Sequence, residues 1–203
     1  AKVTNATHTG DVTGATALTI ATDAVDIAML SATGTASAST FLRGDNAWAS
    51  AGGDNTPRFQ AYLSANQDPA ASTWVKVQFN AELYDTDGAY DPTTNYRFTV
   101  PTGEGGTYFL YSNVTGGDQG SGSVTYFQLV FHKNGSSFTG GPAALMNSGA
   151  NSRQTAKSIQ TILTLVEDDY IEIYGQISTG SGNARYRGPD TMAYCSFGGY
   201  KLL

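Results

Sequence analysis

From Pro57 to the last residue the chain repeats one pattern: short runs rich in aromatic and β-branched residues, each cut off by turn chemistry. The runs are Arg58 to Ala65, Trp74 to Leu83, Asn95 to Val100, Thr107 to Val114, Ser123 to Lys133, Gln154 to Val166, Tyr170 to Thr179 and Thr191 to Leu202. Between them stand Asp85-Thr86-Asp87-Gly88, Pro101 to Gly105, Gly116 to Gly120, Asn134-Gly135 and Glu167-Asp168-Asp169. Runs of this length and composition are strands, and their spacing predicts a sandwich or barrel. Strand-length alternation is clearest where Ile159, Thr161, Leu163 and Leu165 share a face, and where Ile171, Ile173 and Gly175 alternate with Glu172, Tyr174 and Gln176. One face is thus buried, and the other is wet or covered by another subunit. Tyr90, Tyr96, Tyr170, Tyr174 and Tyr200 point to the second outcome.

Composition changes near Ala51 to Pro57, which divides the chain into residues 1–56 and 57–203. The first part is rich in Ala, Thr, Ser and Gly, and its sparse apolar residues cannot build a core from one copy. It is either disordered or held by neighbouring copies. Alternation over Thr16 to Ile20 reads as a half-buried strand and favours the copies; Ala24 to Leu30 reads as a short helix.

Only 14% of residues are charged and the net charge is -6, which argues against a nucleic-acid partner. No apolar run reaches the roughly 18 residues of a membrane-spanning helix, so membrane insertion is not expected. A chain that begins at Ala1 without a basic-apolar leader reads as part of a longer protein. Cys195 is the only cysteine and lies in an apolar-aromatic strand, so it reads as a buried small hydrophobe.

Residues 57–203 resemble the C1q/TNF-like jelly roll. The resemblance is carried by Phe59-Gln60-Ala61, Val77-Gln78-Phe79-Asn80, Tyr90-Asp91 with Phe98 to Pro101, Gly106 to Tyr111, and the closing Phe197 to Leu202. It departs from that family in lacking the common cysteines and in the stretch from Asn134 to Arg153. Residues 8–50 resemble the shaft of bacteriophage tail fibres, through His8 to Gly14 with Ala17 to Ile20, and through Thr40-Phe41-Leu42-Arg43-Gly44-Asp45 with Trp48. The resemblances imply an all-β, trimeric jelly-roll knob preceded by an extended fibre-shaft segment. They imply a virion protein acting outside the cell, whose partners are two further copies, other fibre or tail proteins, and a host-surface glycan or protein. A spacer or capsid decoration fibre is the alternative, and a glycan depolymerase a third.

For chemistry the sequence offers little. His8 and His132 are the only histidines, no Cys/His zinc spacing occurs, and no catalytic residue is assigned. Arg43-Gly44-Asp45 spells an integrin tripeptide but belongs to the fibre pattern. Asp85 to Asp91 gathers three carboxylates in one turn, which fits either calcium or simple turn formation.

Strict up-and-down alternation of eight strands puts 66–72, 101–105, 135–151 and 180–190 at the end far from Pro57. Long loops on a rigid frame carry binding residues. The candidate site is therefore Asn183, Arg185, Tyr186, Arg187 and Asp190: guanidinium forks, an aromatic face and an amide within one loop. The competing reading pairs the two arginines with Asp190 or with a neighbouring subunit.

Overall fold

A computed structural model describes residues 12–13, 19–20, 22, 29–50, 55–137, 143–147, 152–189 and 195–202. The chain divides into two compact units, Ala1–Gly53 and Asp54–Leu203.

In the first unit β1 (Val12–Thr13) pairs antiparallel with β2 (Thr19–Ile20), and β3 (Thr40–Leu42) pairs antiparallel with β4 (Trp48–Ser50). Thr19 and Ile20 thus lie in a strand as the alternation predicts, whereas nearly all of the helix expected over Ala24 to Leu30 lies outside the described residues. The turn between β3 and β4 closes with Arg43 N–H donating to Ala47 O at 2.9 Å, and Arg43 pairs with Asp45 at 2.9 Å. The tripeptide is therefore a hairpin turn whose two charges face each other. Phe41 and Leu42 stay exposed, and two-stranded hairpins are marginal by themselves.

The second unit contains β5 (Arg58–Tyr62), β6 (Trp74–Lys76), β7 (Ala81–Asp85), β8 (Tyr90–Asp91), β9 (Arg97–Thr99), β10 (Gly106–Asp118) and β11 (Val124–Lys133). It continues with β12 (Ser136–Ser137), β13 (Ala143–Asn147), β14 (Gln154–Leu165), β15 (Tyr170–Thr179), β16 (Ala184–Tyr186) and β17 (Ser196–Lys201). One sheet runs β14-β10-β17-β5-β7, with β16 beside β10. The other runs β12-β11-β15-β9-β8, with β13 beside β11 and β6 beside β15. All their pairings are antiparallel. Taking the eight principal strands alone, the sheets are β5-β17-β10-β14 and β9-β15-β11-β13. That double Greek key is the jelly-roll order. The expected all-β jelly-roll sandwich is what the chain forms.

The strands differ from expectation in two places. The run Trp74 to Leu83 is two strands in opposite sheets, β6 on β15 and β7 on β5. The crossing between them is pinned by Val77 and Phe79, both fully buried. The eighth principal strand is instead β13, inside the stretch expected to be a loop. These changes alter which loops share an end. The distal end, opposite Pro57, gathers 63–73, 119–123, 152–153 and 180–189. Pro101 to Gly105 lies at the proximal end: Glu104 accepts from Lys201 at 2.9 Å, and Gly103 N–H donates to Glu167 at 3.2 Å.

Between the sheets sits an aromatic core. Phe59 stacks on Phe98 at 4.6 Å and on Tyr90 at 5.4 Å, and Phe197 meets Phe59 edge-on at 4.9 Å. Cys195 is buried here as expected, its Sγ accepting from Thr115 N–H at 3.1 Å.

Candidate binding surface

The distal end is tied together by one carboxylate. Asp118, at the close of β10, accepts from the backbone N–H of Gly120 at 2.7 Å and Gly122 at 3.0 Å, and from the Ser181 hydroxyl. The Ser181 hydroxyl, followed by those amides, holds its carboxyl below the ordinary value of 3.8. Gln119 N–H donates to Asn183 O at 2.9 Å, and Arg153 donates to Gly120 O. Three loops from distant sequence thus form one surface.

Of the candidate residues, Asn183 is exposed at the tip of the 180–189 loop. Arg185 leans on Asp68 in a two-point pair, Nε to Oδ1 at 2.6 Å and Nη2 to Oδ2 at 3.0 Å. Each holds the other charged: hydrogen bonding to Arg185 lowers Asp68, and Asp68 raises Arg185. Arg187 is half-buried over Gly117 and donates to Asp118 O at 3.2 Å. The pairing partners are therefore Asp68 and a backbone carbonyl.

Tyr186 does not belong to the surface. It is 0% exposed, its ring lies 6.1 Å from that of Phe127, and burial pushes its hydroxyl far above the ordinary range. In β16 alternate residues face the core, so Ala184 and Tyr186 turn inward while Arg185 turns out. Asp190 lies outside the described residues. Asp68, Arg153 and Asn66 complete the surface, Asn66 by accepting Gly188 N–H at 2.9 Å, and the buried Asp118 braces it from beneath.

At the proximal end the Asp85 to Asp91 turn spends its carboxylates on its own backbone. Asp91 accepts from Thr94 N–H and Thr93 N–H at 2.9 Å, which hold it well below the usual carboxylate range, and from Asn95 N–H at 3.0 Å. Asp85 accepts from Tyr90 N–H at 2.8 Å. Turn formation accounts for this acidic run. Among the described residues no group of three or more His, Cys, Asp or Glu is placed to hold a metal.

Asp68, Asp91 and Asp118 all sit below the ordinary aspartate value of 3.8 in the fold. Their stabilisation is complete above that value and is lost as pH falls through the lowered ones. Melting temperature should therefore drop as pH falls below about 4, and more gently in Asp91→Asn. A pH series of melts followed by circular dichroism checks this.

A second surface is the outer face of the first sheet. Across the strands, register lines up Ile162, Phe109, Tyr200 and Arg58 in one row, and Gln160, Tyr111, Gly198, Gln60 and Tyr84 in the next. Phe109 lies 5.5 Å from Tyr200 and 6.1 Å from Tyr111, ring to ring. Ile162 is 61% exposed and Leu83 67%. Burial, then the neighbouring Tyr84, pushes the Tyr111 hydroxyl up to about 12.

This sandwich has solved counterparts. The chain is similar to the globular domain of zebrafish complement 1qA at 16% identity and a TM-score of 0.48, over 73% of this chain and 98% of that one. It is similar to the Eiger TNF of S. frugiperda at 14% identity and a TM-score of 0.48, over 72% and 94%. No family model and no curated protein matches it. The tail-fibre resemblance of residues 8–50 rests on those residues alone.

Proposed function

We propose that the chain is the distal part of a phage tail fibre, in which residues 1–56 form shaft and residues 57–203 form a trimeric knob that attaches to a host-cell surface. The observation that carries this reading is the apolar row on the first sheet. A lone sandwich leaves Ile162 and Tyr200 of one row and Tyr84 of the next in water, whereas packing against two copies covers them. The distal loops then face outward, at the end opposite Pro57, and three copies of a weak site raise avidity.

Light scattering should give three times the 21.3 kDa chain, about 64 kDa. Ile162→Arg with Tyr200→Glu should shift the mass towards the monomer. The knob should compete with phage for a susceptible host, and Asn183→Ala with Arg185→Ala should weaken that competition without lowering the melting temperature by more than about 2 °C. One observation favours a second reading, a spacer fibre: Arg185 is already paired with Asp68. On that reading neither the parent knob nor the double variant competes with phage.

A further inference from the structure

The outer face of the second sheet carries a groove that neither surface above explains. In β15 the residues Ile171, Ile173 and Ile177 fill the core, so Glu172, Tyr174 and Gln176 face outward. Register sets Tyr174 between Val130 of β11 and Lys76 of β6, and Gln176 between Gln128 and Trp74. Trp74, Gln128, Val130, His132, Ser137 and Tyr174 line a cavity of about 390 Å³, with Gln176 at its margin between Gln128 and Trp74 in register.

Three properties narrow the occupant. The Trp74 side chain is 43% exposed and no ring among the described residues stacks on it, so a broad aromatic surface lies open. His132 lies flat on Tyr174 at 4.1 Å, which makes the floor of the groove planar. Charge is cancelled: Lys76 pairs with the buried Glu172 and also donates to Asn95 O at 3.1 Å. Burial lowers His132, favouring its neutral form. What remains uncommitted is polar and neutral. Gln176 donates its amide N–H to Ser72 O at 2.9 Å and keeps its carbonyl free among the described residues. Gln128 accepts from the Tyr126 hydroxyl and keeps its amide N–H groups free among the described residues.

The geometry points to this groove as a binding site for a neutral hexopyranose unit of a glycan, with Trp74 as the stacking platform and Gln128 and Gln176 as hydroxyl partners. A pyranose has an apolar C–H face that suits an indole and edge hydroxyls that suit an amide donor and acceptor. A phosphate or carboxylate meets no free cation among the described residues of the groove. An apolar protein segment buries two amide groups without partners, at a cost. The assignment deepens the reading of the chain as a host-surface binder, and places a sugar contact away from Asn183 and Arg185. It lies on the sheet opposite the proposed subunit interface.

Trp48→Phe leaves Trp74 as the only tryptophan of the two, so its emission reports the groove. The full chain is titrated with maltotriose, mannotriose, galactobiose and triacetylchitotriose, and calorimetry repeats the binding case. At least one sugar should shift the emission saturably. Its affinity should fall at least about tenfold in Trp74→Ala and measurably in Gln128→Ala, with melting temperature unchanged, since neither side chain is core. Sialyllactose should bind no more tightly than lactose. The site is overturned when no sugar saturates by about 10 mM, or when Trp74→Ala binds as well as the parent. A knob that binds sugar but fails to compete with phage overturns the attachment reading and leaves this one standing.

Discussion

Phe197→Ala should destabilise the sandwich by about 3–5 kcal/mol, the range for emptying a large aromatic site in a packed core. Phe197 sits on β17, which lies between β10 and β5 in the centre of the first sheet, and it is 0% exposed. Its ring is 4.9 Å from Phe59, 6.0 Å from Phe79 and from Tyr90, and 6.3 Å from Phe131. Those neighbours come from both sheets and from the crossing segment, so no single shift closes the hole. For a domain of this size the loss amounts to a fall of about 10 °C in melting temperature, and Phe197→Leu should recover much of it. Phe109→Ala is the contrast. It removes an equal ring from the outer face, and its effect should show in the subunit mass rather than in the stability of one sandwich. Urea unfolding of both variants, read with light scattering, separates core from interface.

The core was readable because period-two alternation survives wherever one sheet face is buried. Ile159 and Leu165 on β14, and Ile171 and Ile173 on β15, point inward as their spacing requires. The run Trp74 to Leu83 misled because it contains no Gly or Pro. A chain that leaves one sheet for the other while keeping Val77 and Phe79 buried looks, in sequence, like one long strand. β13 was missed for the opposite reason: Ala143-Ala144-Leu145-Met146-Asn147 has no β-branched or aromatic residue, and it draws its pairing from β11.

Of the candidate side chains, Arg185 turns outward as a surface residue must, whereas Tyr186 is core. Alternation was present in Ala184-Arg185-Tyr186-Arg187 and predicts opposite faces for Arg185 and Tyr186; reading the loop as irregular concealed it. The Asp68 partner could not be read at all, since it stands 117 residues away and is brought close by antiparallel pairing at Gln67 and Tyr186.

Gly188→Ala should abolish host competition by the knob while leaving the sandwich folded, because this glycine sets the distance between two distal loops. A Cβ at Gly188 meets the carbonyl carbon of Ala65 at 2.4 Å, its Cα at 2.7 Å and its oxygen at 2.7 Å. All three are backbone atoms, so no rotamer relieves the clash and the loops must separate. The bond from Gly188 N–H to Asn66, the exchange between Gln67 and Tyr186, and the Asp68 pair with Arg185 all cross that gap. Overpacking of this kind costs about 1–3 kcal/mol, less than the core change at Phe197, so the fold survives. Backbone separation releases Arg185 from Asp68 and moves Asn183 with it. Adsorption competition should then fall to background in a protein whose circular dichroism and subunit mass match the parent. Asn66→Ala, which removes only the hydrogen bond, should give a partial loss. Normal competition by Gly188→Ala would mean that loop spacing does not matter to attachment, and the receptor surface would then have to lie away from the distal end.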